Sequence, residues 1–140
     1  MIVLDTNVVS EALKPGGDKT VIAWLDNQTA ETLYLTATSL SELLLGIAIM
    51  PDGRRKNDIS AALDALIAKL FGPRVLPYDH DAAIAYSDLV SAARRAGKAV
   101  AMADGQIGAI AHVHGFAVAT RDTAPFQALG VAIIDPWTNP

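Results

Sequence analysis

The sequence predicts an α/β fold, a three-layer α/β/α sandwich with a central, mainly parallel sheet. Short runs that are apolar throughout, such as Ile2–Leu4 and Phe116–Ala119, alternate with segments whose apolar residues recur at helical spacing. Strands without a polar side are buried on both faces, which is typical of a parallel sheet covered by helices. The 140 residues suffice for one core, so we expect a single domain over residues 1–140.

Each predicted strand is a short apolar run that ends at a polar residue or a turn. The five runs are Ile2–Leu4, Thr32–Thr36, Val75–Leu76, Phe116–Ala119 and Val131–Ile134. The predicted helices are the periodic segments between these runs, most of them ended by glycine or proline. They are Val8–Leu13, a helix capped by Asp18 that carries Val21 to Leu25, a helix from Thr38 to Pro51, Ala61–Leu70, Asp81–Ala96, Ala103–His114 and the short segment Ala124–Leu129.

Composition excludes several classes of function. The chain has no cysteine, so it has no thiol nucleophile, thiolate zinc site or iron–sulfur cluster, and it fits a reducing compartment. Its 15 acidic residues outnumber its 11 Lys and Arg, which argues against a protein that grips nucleic acid by bulk positive charge. No basic leader and no apolar run long enough to span a membrane are evident, so we expect a cytoplasmic protein.

Four acids occupy positions at which functional residues are commonly found in α/β proteins. Asp5 closes the first strand and Asp122 follows the strand Phe116–Ala119, while Glu42 and Asp104 lie near the starts of helices. The carboxyl ends of parallel strands and the starts of the following helices lie at one edge of the sheet. We therefore expect the four carboxylates to converge there.

Each of these acids also has a structural interpretation. Ser39-x-x-Glu42 matches a capping box, and Asp5 and Asp104 are ordinary residues for a helix start. Four crowded carboxylates, however, repel one another and need a compensating cation, and Arg121 is the only basic residue in these motifs. An all-oxygen donor set favours Mg²⁺ or Mn²⁺, and such ions can activate water for in-line hydrolysis of a phosphodiester. With the four acids set aside, the remaining acidic residues equal the Lys and Arg residues in number.

The ordered motifs resemble those of a PIN-domain ribonuclease toxin of the VapC family, closest to its FitB-like branch. They are Ile2-Val3-Leu4-Asp5-Thr6-Asn7, Ser39-Leu40-Ser41-Glu42-Leu43, Ala103-Asp104 and Val118-Ala119-Thr120-Arg121-Asp122, with Pro136-Trp137 near the end. Each motif alone is weak, but the ordered set covers nearly the whole chain. The resemblance implies a metal-dependent endoribonuclease, the toxin of a type II toxin–antitoxin module.

The resemblance also implies roles for individual residues. Asp5, Glu42, Asp104 and Asp122 would be the catalytic, metal-coordinating acids, with Mg²⁺ as the cofactor and Mn²⁺ as its substitute. Four polar residues would orient these acids or a metal-bound water: Thr6, Asn7, Ser39 and Thr120. Many family members carry Asn at the position of Asp122 and an acid three residues later, where this chain has Pro125. This departure leaves open whether Asp122 contacts the metal directly.

The resemblance also implies a substrate and partners for the protein. The family acts on RNA, forms homodimers and is held by a small antitoxin with a DNA-binding N-terminal part, often of the ribbon-helix-helix type. The basic residues that could contact RNA or an acidic partner are Arg54, Arg55, Lys56, Arg94, Arg95, Lys98 and Arg121. Contacts to phosphate need only local positive charge, but solvated helix faces would carry the same residues.

Two other classes of protein remain as alternatives. A catalytically inactive PIN-like interaction module would use the acidic edge only to bind an antitoxin-type partner, and it would need no metal. A haloacid-dehalogenase-type phosphatase also begins with a strand that ends in Asp, but it requires a second Asp at the position of Asn7 and a motif lysine that the sequence lacks. A receiver-like phosphorylation switch lacks its adjacent acidic pair.

Overall fold

A computed structural model of the chain describes residues 1–138. Within them, five strands form one parallel sheet: β1 (Ile2–Leu4), β2 (Leu33–Thr36), β3 (Val75–Leu76), β4 (Ala117–Ala119) and β5 (Ile133–Ile134). Seven α-helices surround the sheet: α1 (Thr6–Leu13), α2 (Lys19–Asp26), α3 (Ala37–Ala48), α4 (Arg54–Leu66), α5 (His80–Arg95), α6 (Met102–His114) and α7 (Thr123–Leu129). The predicted three-layer α/β/α fold is confirmed.

The strand order places β1 at the centre of the sheet. The order is β3-β2-β1-β4-β5, so β1 pairs with β2 on one side and with β4 on the other. The chain crosses from one half of the sheet to the other between β3 and β4, and such a reversal of strand order opens a crevice at the carboxyl ends of the strands. The ends of β1, β2 and β4 therefore define the region where a site is expected.

Successive strand residues contribute to two separate cores, one on each face of the sheet. Val3 and Val118 pack into the core beneath α5, α6 and α7, whereas Leu4 and Ala119 pack into the core beneath α1, α2, α3 and α4. Because side chains alternate along a strand, burial of both neighbours requires helices on both faces. This explains why the strands are apolar throughout.

Several helix boundaries differ from the predicted ones. Helix α3 begins at Ala37 with Thr36 as its N-cap, and the hydroxyl of Thr36 accepts a hydrogen bond of 3.0 Å from the amide of Ser39. The capping-box interpretation of Ser39 is therefore wrong, and Glu42 lies in the second turn of the helix. Helix α4 begins at Arg54, well before the predicted start at Ala61. The sequence pattern does not reveal the first turns because they are mostly polar and carry no apolar period.

Helix α4 continues into a π-helical turn over Ile67–Phe71. The side chain of Arg74 closes this segment by donating hydrogen bonds to the carbonyl groups of Leu33 and Leu70. No helix in residues 1–138 combines the length and the apolar character needed to cross a membrane.

Candidate active site

Asp5 lies at the carboxyl end of β1 and forms the N-cap of α1. Its Oδ1 accepts a hydrogen bond of 2.8 Å from the amide of Thr6, and its Oδ2 accepts one of 2.8 Å from the hydroxyl of Thr120. The residue is only 5% exposed. The structural and the functional interpretations of this residue are therefore compatible, because one carboxylate oxygen caps the helix while the other belongs to a side-chain network.

That network joins β1 to β4. The buried hydroxyl of Thr120 accepts hydrogen bonds from Asn7 Nδ2 at 3.3 Å and from the amide of Asp122 at 3.1 Å, while donating to Asp5. Asn7 Oδ1 in turn accepts a bond of 3.4 Å from the amide of Arg121. Asn7 and Thr120, two of the four polar residues predicted to orient the acids, thus form one connected unit with Asp5.

Glu42 reaches the same region from α3. Its Oε1 accepts a hydrogen bond of 2.7 Å from the hydroxyl of Thr6, so the residue that follows Asp5 also fixes the second acid. Ser39 is different: it is fully buried, and within residues 1–138 its hydroxyl has no hydrogen-bond partner. No hydrogen bond therefore links Ser39 to the acids, and its predicted orienting role remains a prediction.

Asp104 is the third residue of α6. Burial, followed by the negative charges of Asp5, Asp122 and Glu42, raises the pKa of Asp104 to about 6. Gly105 follows it, and a Cβ at this glycine would lie 2.6 Å from Cε2 of Tyr86. The missing side chain lets α5 pack tightly against α6 where Asp104 is presented.

Neighbouring carboxylates raise the pKa values of Asp5 and Asp104. Burial raises the pKa of Asp5 above its ordinary value, the hydrogen bonds from Thr120 and Thr6 oppose this rise, and the charges of Glu42 and Asp122 add to it. Like charges raise a pKa in this way at short range, and the four carboxylates line the same cleft. The convergence predicted from the sequence is therefore present in the structure.

One open cleft of about 410 Å³ holds all four acids. It is lined by Asp5, Thr6, Asn7, Ser10, Glu11, Glu42, Asp104 and Asp122. No Lys or Arg lines it, and none of the ion pairs within residues 1–138 involves one of the four acids. A separate depression of about 400 Å³ beneath α1 and α2 is lined mainly by aliphatic side chains and offers no comparable set of reactive groups.

Glu11 is a member of the cleft that the sequence analysis missed. Its Oε2 lies 3.1 Å from Lys14 Nζ, and its Oε1 accepts a hydrogen bond of 2.7 Å from the amide of Asp18. The spacing of Asn7, Ser10 and Glu11 contained the signal, because residues three and four apart share one face of a helix. Glu11 differs from the four acids in having a cationic partner of its own.

The predicted basic contacts lie outside this cleft. Lys56 Nζ donates to the carbonyl of Ala48 and to Asp52, each at 3.2 Å, and so fastens the turn between α3 and α4. Arg54 and Arg55 line shallow depressions beside this turn, away from the acids. The remaining members of this group are exposed at or just after the end of α5, namely Arg94, Arg95 and Lys98. Only Arg121, between Thr120 and Asp122, adjoins the cleft.

The chain is similar to known proteins over nearly its whole length. The PIN domain family model matches residues 2–131 of the chain. The VapC ribonuclease Y4jK of Sinorhizobium fredii is 50% identical over 137 residues, which cover 98% of each protein. The toxin FitB of Neisseria gonorrhoeae is 45% identical over 137 residues, which cover 98% of this chain and 99% of FitB.

A solved structure shows the same fold. A chain in the structure of FitAB bound to an IR36 DNA fragment superposes with a TM-score of 0.94 and 43% sequence identity, covering 100% of this chain and 98% of the other. This chain therefore belongs to the PIN-domain family, in the group that contains the VapC and FitB toxins.

Proposed function

We propose that this protein is a divalent-metal-dependent endoribonuclease, the toxin of a type II toxin–antitoxin module. The observation that carries the proposal is the cleft in which Asp5, Glu42, Asp104 and Asp122 come together without a cationic side chain. The raised pKa values of Asp5 and Asp104 lower the stability of the metal-free protein at neutral pH. A cleft of this kind is best explained by a cation that binds there.

The donor chemistry of the cleft fits Mg²⁺ or Mn²⁺. The acids offer only oxygen ligands, and both metals prefer oxygen to the softer donors. Within residues 1–138 no group of three or more acids or histidines is arranged so that it could hold one ion by itself. Magnesium usually takes one or two carboxylates and keeps several waters. We therefore assign the four acids to a shared, partly hydrated site.

The acids and the residues around them would have different roles in hydrolysis. Asp5, Glu42, Asp104 and Asp122 would hold the metal, and the chemistry it would supply when bound is activation of water and compensation of the charge on the scissile phosphate. Thr120 and Thr6 fix the carboxylates of Asp5 and Glu42 through their hydroxyl groups. These contacts orient the acids before substrate arrives, which lowers the reorganisation needed in the transition state.

The alternative, an inactive module that binds a partner through its acidic edge, explains less. A docking surface for basic side chains works best with exposed carboxylates. Glu42 and Asp122 are exposed, but Asp5 is 5% exposed and hydrogen-bonded on both oxygens. The internal network of Asn7 and Thr120 serves to orient Asp5 and presents nothing to a partner. Orientation of a buried acid is a requirement of catalysis.

The experiment is a cleavage assay on purified protein freed of any partner. We expect cleavage of single-stranded RNA with Mg²⁺ or Mn²⁺, none with EDTA, and loss of activity in Asp5→Asn and Asp104→Asn. Asp64→Asn, an exposed acid of α4 outside the cleft, is the matched control and should retain activity. Cleavage that survives chelation would contradict the metal mechanism. Equal inactivity of wild type and variants on varied RNAs would favour the interaction module.

The partner we propose is a small antitoxin with a DNA-binding N-terminal part, of the ribbon-helix-helix type, bound to a homodimer of this chain. The support is the FitAB structure, which is bound to DNA and contains a chain that superposes on this one. We expect the product of an adjoining short reading frame to copurify with this protein and to inhibit cleavage. Light scattering of the purified chain checks the dimer, and a monomeric mass would contradict it.

A further inference from the structure

Arg121 is held in place beside the acid cleft. In the chain it lies between Thr120, which binds Asp5, and Asp122, which lines the cleft. Its amide donates a hydrogen bond of 3.4 Å to Asn7 Oδ1, so its backbone is part of the network that orients the acids. Its side chain lies over the indole of Trp137, with the guanidinium carbon 5.4 Å from the ring centroid.

Trp137 provides a fixed platform for this arginine. Its ring is partly buried against the core beneath α1 to α4. Its amide donates a hydrogen bond of 2.9 Å to Asp135 Oδ1 just after β5. A guanidinium stacked on a ring that is itself packed against a core loses rotamer freedom before any ligand binds.

The contact with the indole leaves the hydrogen-bond donors of the guanidinium unused. The group has five N–H donors in its plane, and a cation–π contact consumes none of them. Within residues 1–138, the Arg121 side chain forms no ion pair and donates no hydrogen bond, even though Asp122 is its neighbour in the chain. An exposed, ordered arginine with unused donors matches the planar fork that binds phosphate through two oxygens.

The negative charge of the cleft makes a nearby cation useful for binding RNA. RNA must bring phosphates to a cleft that four carboxylates make repulsive, and no Lys or Arg lines that cleft. Arg121 directly precedes Asp122, which lines the cleft, and a cation at this position can hold a flanking phosphate while the scissile one enters. None of the predicted basic residues lines the cleft itself, and of these residues only Arg121 is the chain neighbour of a residue that does.

We propose that Arg121, stacked on Trp137, binds a phosphate of the RNA strand next to the scissile one, and that Trp137 is its positioning residue. The inference rests on the proposed function only in taking RNA as the substrate. The ligand we propose for Arg121 is a nucleic-acid phosphate. Binding of an acidic segment of the antitoxin by Arg121 is the competing outcome.

The first test measures binding of a fluorescein-labelled single-stranded RNA by anisotropy, in the Asp5→Asn background that blocks cleavage. Arg121→Ala should weaken binding about tenfold and lower the slope of log Kd against log salt by roughly 0.7, the value for one lost phosphate contact on a single strand. Arg121→Lys keeps the charge and should retain the slope with weaker binding. Lys69→Ala removes one charge from the exposed π-helical turn before β3 and should leave binding within twofold of the parent.

The second test isolates the stacking platform. Trp137→Leu should raise KM as Arg121→Ala does, with kcat changed less than twofold, whereas Trp137→Phe keeps an aromatic face and should restore KM. The double variant Arg121→Ala/Trp137→Leu should bind RNA no more weakly than Arg121→Ala alone. A merely structural role of Trp137 would lower thermal stability without this dependence on Arg121.

The outcomes separate the inference from the proposed function. Cleavage by wild type with unchanged KM and salt slope in Arg121→Ala overturns the inference and leaves the function intact. RNA binding that depends on Arg121 in a protein that cleaves nothing supports the inference and overturns the nuclease. If Arg121→Ala weakens antitoxin binding and leaves RNA binding unchanged, the arginine is a partner contact and the inference is wrong. If the protein binds no RNA at all, both are wrong.

Discussion

The hydroxyl of Thr120 donates a hydrogen bond of 2.8 Å to Oδ2 of Asp5, a residue 115 positions away in the chain. Both residues are buried, and the bond joins the carboxyl ends of the adjacent strands β1 and β4. It also lowers the pKa of Asp5 against the opposing effect of burial. The uncharged side chain of Thr120 therefore favours the ionised form of Asp5 in the cleft.

Thr120→Val tests this control of charge. The variant keeps the shape of the side chain and loses the donor. The hydrogen bond from Thr120 lowers the pKa of Asp5, so the pKa of this carboxyl should rise in the variant. A ¹³C NMR titration of the Asp5 carboxyl carbon in metal-free buffer measures this rise. Thr120→Ser keeps the hydroxyl and should titrate as wild type does. Identical titration curves for the valine variant and wild type would contradict the assignment.

Asp104→Asn should stabilise the metal-free protein at neutral pH. The raised pKa, about 6 against an ordinary 3.8, means that the folded state retains a proton that the unfolded state releases. The free energy of unfolding therefore falls as pH rises from about 4 to 6 and stays lowered above that range. Because the side chain is only partly buried and is screened by solvent, we expect a gain of about 1 kcal/mol at pH 7.5.

Urea unfolding in EDTA from pH 3.5 to 8 measures this effect. The difference between Asp104→Asn and wild type should be small at pH 3.5, where both carry a neutral side chain, and should grow through pH 6. Asp64→Asn, an exposed acid of α4, controls for loss of one charge and should show no such growth. A variant that is less stable than wild type at pH 7.5 would refute the repulsion argument.

Divalent metal should stabilise the folded protein by compensating the same repulsion. Binding to the folded state alone adds about 2.7 kcal/mol to the free energy of unfolding at a metal concentration of 100 times Kd. A thermal-shift titration with Mg²⁺ or Mn²⁺ should therefore raise the Tm of wild type and of Asp64→Asn. The rise should be reduced in Asp5→Asn and Asp104→Asn. An equal rise in all four proteins would place the metal outside the cleft.

Much of the site could be predicted because strand ends and helix starts are local features. The apolar runs before Asp5 and Asp122 give the strand ends, and the topology of a parallel sheet then brings the acids together. The start of α3 was missed because Thr36 serves both as the last residue of β2 and as the N-cap, so Ser39 looked like the first capping residue.

Other features could not be predicted because they depend on contacts between distant segments. The stack of Arg121 on Trp137 requires β4 and β5 to be neighbours, which no local pattern states. The ion pair of Glu11 with Lys14 is local in sequence, but its place in the cleft depends on how α1 meets the sheet. Sequence periodicity predicts which face of a helix or strand a residue occupies. It does not predict which other element packs against that face.

Two glycines in helices should respond oppositely to alanine. A Cβ at Gly105 would lie 2.6 Å from Cε2 of Tyr86 and 3.0 Å from Cγ2 of Val90, so the packing of these side chains between α5 and α6 must shift. We expect Gly105→Ala to lose about 1–3 kcal/mol of stability, typical of overpacking, and to lose cleavage activity because Asp104 shifts with the helix. Gly46 of α3 has no atom within 4 Å of its would-be Cβ.

Gly46→Ala is therefore the matched control, and it should gain roughly 0.5–1 kcal/mol because alanine is the better residue in a helix interior. Urea unfolding of both variants in EDTA gives the two free energies, and the RNA cleavage assay gives the activities. Since Gly105 adjoins an acid of the cleft while Gly46 does not line it, only the first variant should lose activity beyond what its stability explains. Full activity in a destabilised Gly105→Ala would show that the position of Asp104 tolerates a displaced helix.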